Sequence, residues 1–183
     1  KLTNEIKKCH NCELCHNQNP LLDKERCCQM FWVGLSAKRA NHDDEIPLSP
    51  VTNTGMLIKK IEELLNEVTT YKTNLVKCLP LDEKQKLRYP SRSEIDSCIV
   101  NLKKEIIELS PKIIFLLGEK VYSSIERHFN ISFNKWSEFD YCYKEYRGIY
   151  YVPIHHPSYI YVYKRKMMNQ YIRSIESLVH TLL

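Results

Sequence analysis

Short apolar runs recur along this chain, separated by stretches of helical period, and that alternation restricts its fold more than any other feature. Met30-Phe31-Trp32-Val33, Lys112-Ile113-Ile114-Phe115-Leu116-Leu117 and Tyr150-Tyr151-Val152-Pro153-Ile154 are nearly continuous, and Tyr71 to Val76 forms a further β-like run. Unbroken runs of this length suit strands covered on both faces. Between them, residues 55–68 repeat Leu57, Ile58, Ile61, Leu64 and Leu65 at helical spacing. Ser91 and Glu94 stand at capping-box spacing before a helix from Ile95 to Leu109, which Pro111 ends. Further helices are expected from Gly118 to about His128 and, amphipathic, over 165–182. Residues 1–28 read as a short helix and loop, 36–54 and 79–90 as polar loops, and the segment leading to Tyr146 as irregular and aromatic.

Strands alternating with helices predict an α/β fold, a three-layer α/β/α sandwich around a four-stranded parallel sheet. Ligands of such sheets bind beyond the carboxyl ends of the strands. The loops there begin at Gly34, Cys78 and His155, with Asn74 near the same edge. With 183 residues, and no repeat, low-complexity tract or linker, the chain reads as one domain over 1–183.

The longest apolar runs are far short of a membrane span and no secretory pattern opens the sequence, so a cytoplasmic protein is expected; a monomer is the expected state. In that compartment eight cysteines argue against a disulfide framework and for metal ligands or core thiols. A net charge of +5 and a pI near 8.7 permit a nucleic-acid face without requiring one.

Cys9 and Cys12 form a C-x-x-C; Cys78 follows a β-like run and Cys98 lies within a predicted helix. Four thiolates suit one [4Fe–4S] cluster or one zinc ion. Cys15 lies close enough to the first pair to compete, while Cys27, Cys28 and Cys142 fit core or free thiols. His156-Pro157-Ser158 follows the last predicted strand and reads either as a plain strand-end turn or as part of a site.

Taken in order, Cys9-His10-Asn11-Cys12, Phe31-Trp32-Val33-Gly34 and Thr73-Asn74-Leu75-Val76-Lys77-Cys78-Leu79-Pro80 resemble the iron–sulfur uracil-DNA glycosylases of families four and five. The resemblance continues through Pro90, Glu94, Cys98, Ser110-Pro111-Lys112-Ile113-Ile114, Gly118, Arg147-Gly148 and His156-Pro157-Ser158. It implies a uracil-DNA glycosylase-like fold and a DNA-repair hydrolase that cleaves the N-glycosidic bond of uracil in DNA. It also implies a structural [4Fe–4S] cluster on Cys9, Cys12, Cys78 and Cys98, with zinc as the alternative.

Departures from the family pattern are equally legible. Family four follows its first strand with Gly-Glu-Ala-Pro-Gly, whereas Gly34-Leu35-Ser36-Ala37-Lys38 has no acid beside the glycine; family five also has Gly-Leu there. A stacking phenylalanine of family four is replaced in Pro47-Leu48, and Leu81–Tyr89 lengthens the interval between Cys78 and Cys98. A catalytically weak or inactive module binding DNA or a protein is therefore the alternative function.

Carried residue by residue, the resemblance gives His156 a neutral imidazole that donates to the leaving base, and Asn74 an amide that reads the uracil edge. Gly34, Leu35, Leu48 and Ser158 would surround the base. Asp43 is expected to activate water, with Ser36, Asn41 and Asp44 as alternatives; Asp43-Asp44-Glu45 also reads as a solvated acidic loop. Tyr159 and Tyr161 offer bulk to unstack DNA, and Lys164, Arg165 and Lys166 offer charge for phosphates, although the same segment suits an ordinary helix entry. Lys38-Arg39 and Ser91-Arg92 add possible phosphate contacts. Uracil-containing DNA is the expected partner, with a protein partner or inhibitor unspecified.

Overall fold

A computed structural model describes residues 1–183. Strands β1 (Met30–Ser36), β2 (Thr70–Val76), β3 (Ile113–Leu117), β4 (Lys144–Tyr146) and β5 (Ile149–Ile154) form one sheet in the order β2-β1-β3-β5-β4. The four expected strands are parallel neighbours, and β4 adds an antiparallel fifth at the edge. The expected four-stranded count is thereby corrected. The extra strand comes from the aromatic stretch, folded back by the two-residue turn Arg147-Gly148, both at positive φ. Such turns match the twist of the strands they join, and at φ +79° Gly148 alone of the common residues fits without strain. Since β4 pairs only as far as Tyr151, Pro153 lies beyond the last β4–β5 pair, where its missing N–H costs no rung on that side.

Alternate strand residues supply two cores, which is why the runs lack polar alternation. Phe31, Val33, Tyr71, Ile114 and Leu116 pack with α1 (Leu2–Lys7), α3 (Arg92–Leu109) and α4 (Glu119–Phe129). Trp32, Ile113, Phe115, Leu117 and Ile154 pack with α2 (Asn53–Leu64), α5 (Pro157–Tyr163) and α6 (Met168–Leu182). The capping box on α3 forms, with both Ser91–Glu94 bonds present. Thr52 caps α2 through Gly55 N, so that helix starts two residues before the expected Gly55. The closing helix starts at Met168, not 165, because a 3-10 turn, Arg165–Met167, separates it from α5. No helix is long and apolar enough to cross a membrane.

The outer edge of β2 is covered by residues 20–29. Leu21 N donates to Lys77 O at 2.8 Å, and Lys72 N to the buried Asp23 carboxylate at 2.9 Å. Arg26 holds that carboxylate and reaches Thr70 O. An edge so occupied offers little to a foreign strand.

One fully buried ion pair joins β2 to α3. Lys77 Nζ meets the Glu105 carboxylate, Thr73 Oγ1 and the carbonyl of Asn74. Glu105 also accepts from Tyr71 Oη at 2.6 Å and from Thr73 Oγ1. Every polar atom of the pair has partners, the condition under which charges tolerate the interior. Removing one partner leaves an uncompensated charge. Lys77→Met and Glu105→Gln are each expected to lower unfolding free energy by about 3–5 kcal/mol. The double variant Lys77→Met/Glu105→Gln should lose far less than the sum. Additive losses in urea unfolding would show that the two charges are not coupled.

Candidate active site

The site follows from topology. From β1 the chain crosses to β2 through α2 on one face of the sheet, then from β2 to β3 through α3 on the other. The carboxyl ends of β1 and β3 therefore diverge, leaving a crevice where strand order reverses. A cleft of about 1430 Å³ opens there, and Gly34, Asn74, Gly118 and His156 lie along its wall. Asn74 on β2 and His156 after β5 are three strand spacings apart, about 14 Å at roughly 4.8 Å each. Two side chains reaching inward from those positions leave room for one planar ring.

Asn74 is 3% exposed. Its backbone carbonyl is held by Lys77, while its side-chain amide bonds to no protein group and borders the cleft. Gly34 is its β1 neighbour, and a Cβ there would collide with Asn74 Oδ1 and lie 3.1 Å from Leu48 Cδ2. Any side chain at 34 would therefore displace the Asn74 amide. Leu48 closes the same corner with its backbone at φ +53°, a left-handed conformation unusual for a branched side chain and found disproportionately at functional sites.

His156 caps α5. Its Nδ1 accepts from Ser158 N at 3.1 Å and lies 2.7 Å from Ser158 Oγ. A backbone N–H can only donate, so Nδ1 is the unprotonated nitrogen and Nε2 carries the hydrogen. Burial, and then the charge of Lys38, pull the His156 pKa down to about 4. Gly118, at φ +93°, brings its backbone against the ring: a Cβ there would stand 3.3 Å from His156 Cβ.

The adjacent histidine belongs elsewhere. His155 Nδ1 pairs with Tyr141 Oη at 2.6 Å, and its ring lies among Trp136, Phe139 and Tyr159. It does not line the cleft.

Of the remaining expected residues, Leu35, Ser36 and Ser158 line the cleft with Gly34 and Leu48, though the Ser158 hydroxyl is committed to His156. Asp43 is the correction: it is exposed and does not line the cleft, nor does Asp44. The acid of that loop which does is Glu45, whose carboxylate accepts from Asn41 N. Residues 43–45 are all acidic, and sequence alone carries no signal to choose among them. Lys38, Arg39 and Arg92 line the cleft, as does Lys120, which sequence reasoning missed. Tyr159 and Tyr161 lie on α5, the first stacked on His155 and the second under the Arg165 guanidinium at 4.3 Å. Lys164, Arg165 and Lys166 are exposed beyond it.

Cys9, Cys12, Cys15, Cys78 and Cys98 line one small pocket behind β2, so the structure brings the distant pairs together. Asn101 Nδ2 donates to Cys9 Sγ at 3.4 Å and to Cys98 Sγ at 3.9 Å, and Lys77 N donates to Cys98 Sγ at 3.3 Å. N–H groups aimed at sulfur fit the surroundings of an iron–sulfur cluster. No three of these side chains are grouped as for a single metal ion. Burial, with the other thiols near by, pushes Cys78 up to about 12.

His156 should stay neutral across the physiological range. Its imidazole resonances are expected to hold their neutral positions from pH 8 to pH 5 and to move only near pH 4. Because its folded pKa lies below the ordinary 6.5, its contribution to stability is complete above pH 6.5 and is lost as pH falls from there towards 4. An NMR titration centred near 6.5 would refute the buried, neutral assignment.

In sequence, residues 23–178 match the uracil DNA glycosylase superfamily. Cys78 and Cys98 lie within that span; Cys9 and Cys12 lie before it. No curated protein matches the chain. Among solved structures it is similar to wild-type SMUG2 of Pedobacter heparinus, with a TM-score of 0.54 and 12% identity, covering 91% of this chain and 77% of that one. At that identity the likeness speaks for the fold. The superfamily match spans most of the chain, and the chain belongs to the uracil DNA glycosylase superfamily.

Proposed function

We propose that this protein excises uracil from DNA by hydrolysing the bond between uracil N1 and deoxyribose C1′. The observation that carries the reading is the pair Asn74 and His156. One is a buried amide with no protein partner, the other an imidazole held neutral with its Nε2–H free, and both border one cleft. In the proposed complex Asn74 Oδ1 accepts from uracil N3–H and Nδ2 donates to O4, a pattern that cytosine reverses. The departing base takes the N1–C1′ electron pair, and His156 Nε2–H stabilises its charge at O2. Water adds to C1′, and the proton it releases balances the uracil anion. Ser36, Asn41 and Glu45 are polar groups after β1 that border the cleft and could hold that water. Tyr159 and Tyr161, with Lys164, Arg165 and Lys166, would meet the DNA beside the flipped nucleotide.

The reading includes a [4Fe–4S] cluster on Cys9, Cys12, Cys78 and Cys98, which would tie the N-terminal segment to β2 and α3 and takes no part in bond cleavage. Anaerobically purified protein should be brown and contain about four irons per chain. Alanine at any of the four cysteines should lower that content. Stoichiometric zinc without iron, from iron-replete cells, would overturn this part of the reading.

Excision is tested by single-turnover release of uracil from labelled oligonucleotides. His156→Ala should slow it by about 10²–10³, the cost of one lost donor to a developing anion. Asn74→Asp should slow it strongly as well, because a carboxylate repels the leaving anion and cannot donate to O4. His155→Ala should act mildly. A wild-type protein that binds DNA but releases no uracil would instead support the non-catalytic module, for which the missing acid beside Gly34 and the aliphatic Leu48 already speak.

A further inference from the structure

Within the stretch 79–90, expected as a polar loop, residues 81–87 form a tight hairpin on the wall of the cleft. Leu81 and Leu87 pair across it, Asp82 N donates to Lys86 O, and the Asp82 carboxylate accepts from Lys84 N and Lys86 N. Arg88 fastens the hairpin to α3, with both guanidinium ends on Glu94 at 2.7 and 2.8 Å and its Nε on Leu81 O. From the opposite wall Arg39 reaches Gln85 O at 3.3 Å. The element is therefore braced by its own hydrogen bonds, by α3 and by Arg39.

Against that background two side chains are conspicuous. Leu87 is 50% exposed and Tyr89 is 70% exposed, and both border the cleft. Lys120 lies over the Tyr89 ring at 4.4 Å. Arg88 and Arg127 on the same cleft are paired with Glu94 and Asp96. Lys38, Arg39, Arg92 and Lys120 border it without a salt bridge and outnumber its other acids, Glu45 and Glu119. An exposed aromatic beside a braced hairpin, among cations in excess, is the arrangement that binds single-stranded nucleic acid: cations follow the phosphates, and the ring takes a base face. In a duplex that face is already covered by its neighbours.

We infer that Tyr89 is a stacking platform for an unpaired base next to the one held in the site, so that this cleft takes single-stranded DNA in preference to duplex. The ligand class rests on the proposed excision reading. The test does not, because it uses DNA without uracil. Fluorescence anisotropy would compare a single-stranded oligonucleotide with the same sequence as duplex, for the wild type, Tyr89→Ala, Tyr89→Phe and Lys120→Ala. Tyr89→Ala should weaken single-strand binding about 5- to 100-fold. It should leave duplex binding and the salt dependence of single-strand binding nearly unchanged. Tyr89→Phe should restore the affinity, and Lys120→Ala should make the salt dependence shallower. Equal affinity of Tyr89→Ala and wild type for single strands overturns the inference, as does an equal loss on both substrates or a wild type that ignores single strands. Excision of uracil with no Tyr89 effect removes the platform and leaves the glycosylase. A Tyr89 effect without excision does the reverse.

Discussion

The contact between Lys77 and Glu105 anchors everything functional in this fold. It sits where β2 ends, with Asn74 three residues before it and Cys78 immediately after. The Lys77 ammonium grips the carbonyl of Asn74, and the backbone N–H of Lys77 donates to Cys98 Sγ. A charge pair with no exposure is an expensive way to join a strand to a helix, and an apolar pair of similar volume could do so as well. What the ion pair adds is direction. Its hydrogen bonds fix the rotation of β2 about its own axis, and that decides where the Asn74 amide points.

The two ends of the cleft are built on opposite principles. At β2 the polar group is left without partners and shielded, so its bonding capacity is kept for a ligand. At β5 the polar group is saturated on one side by Ser158, so that a single N–H remains on the other. Glycines at 34 and 118 suit both: a side chain at 34 would overlap the Asn74 amide, and at 118 the positive φ lets the backbone lie against His156.

Much of this was legible in the sequence. The uninterrupted runs predicted a sheet buried on both faces, and Ser91 with Glu94 predicted the start of α3. The histidine before Pro157 was separable from its neighbour by family register alone; the structure adds a reason in the Tyr141 bond that draws His155 away. Three things were hidden. β4 was masked by an aromatic stretch with no strand-like period, and only the Arg147-Gly148 turn hinted at it. Asp43 was chosen from three consecutive acids by position, and loop geometry turned a different one inward. Lys77 drew no attention beside cysteines, yet a signal existed. Glu105 stands three residues after Leu102 and four before Leu109, on the apolar stripe of its helix, and a lone acid there calls for a buried base.

The thiol pocket has a consequence for how the molecule is made. Its walls come from the first turns of the chain and from a helix that begins at Arg92. A ribosome adding about 5–20 residues per second takes several seconds to travel between them. Throughout that interval Cys9, Cys12 and Cys15 have no pocket to enter. Nor can β2 hold its edge cover until Lys77 has appeared to receive Leu21. Assembly of this domain is thus ordered by synthesis. The thiols of the C-x-x-C segment are made before the strand and helix that enclose them, and they find their place only once those have followed.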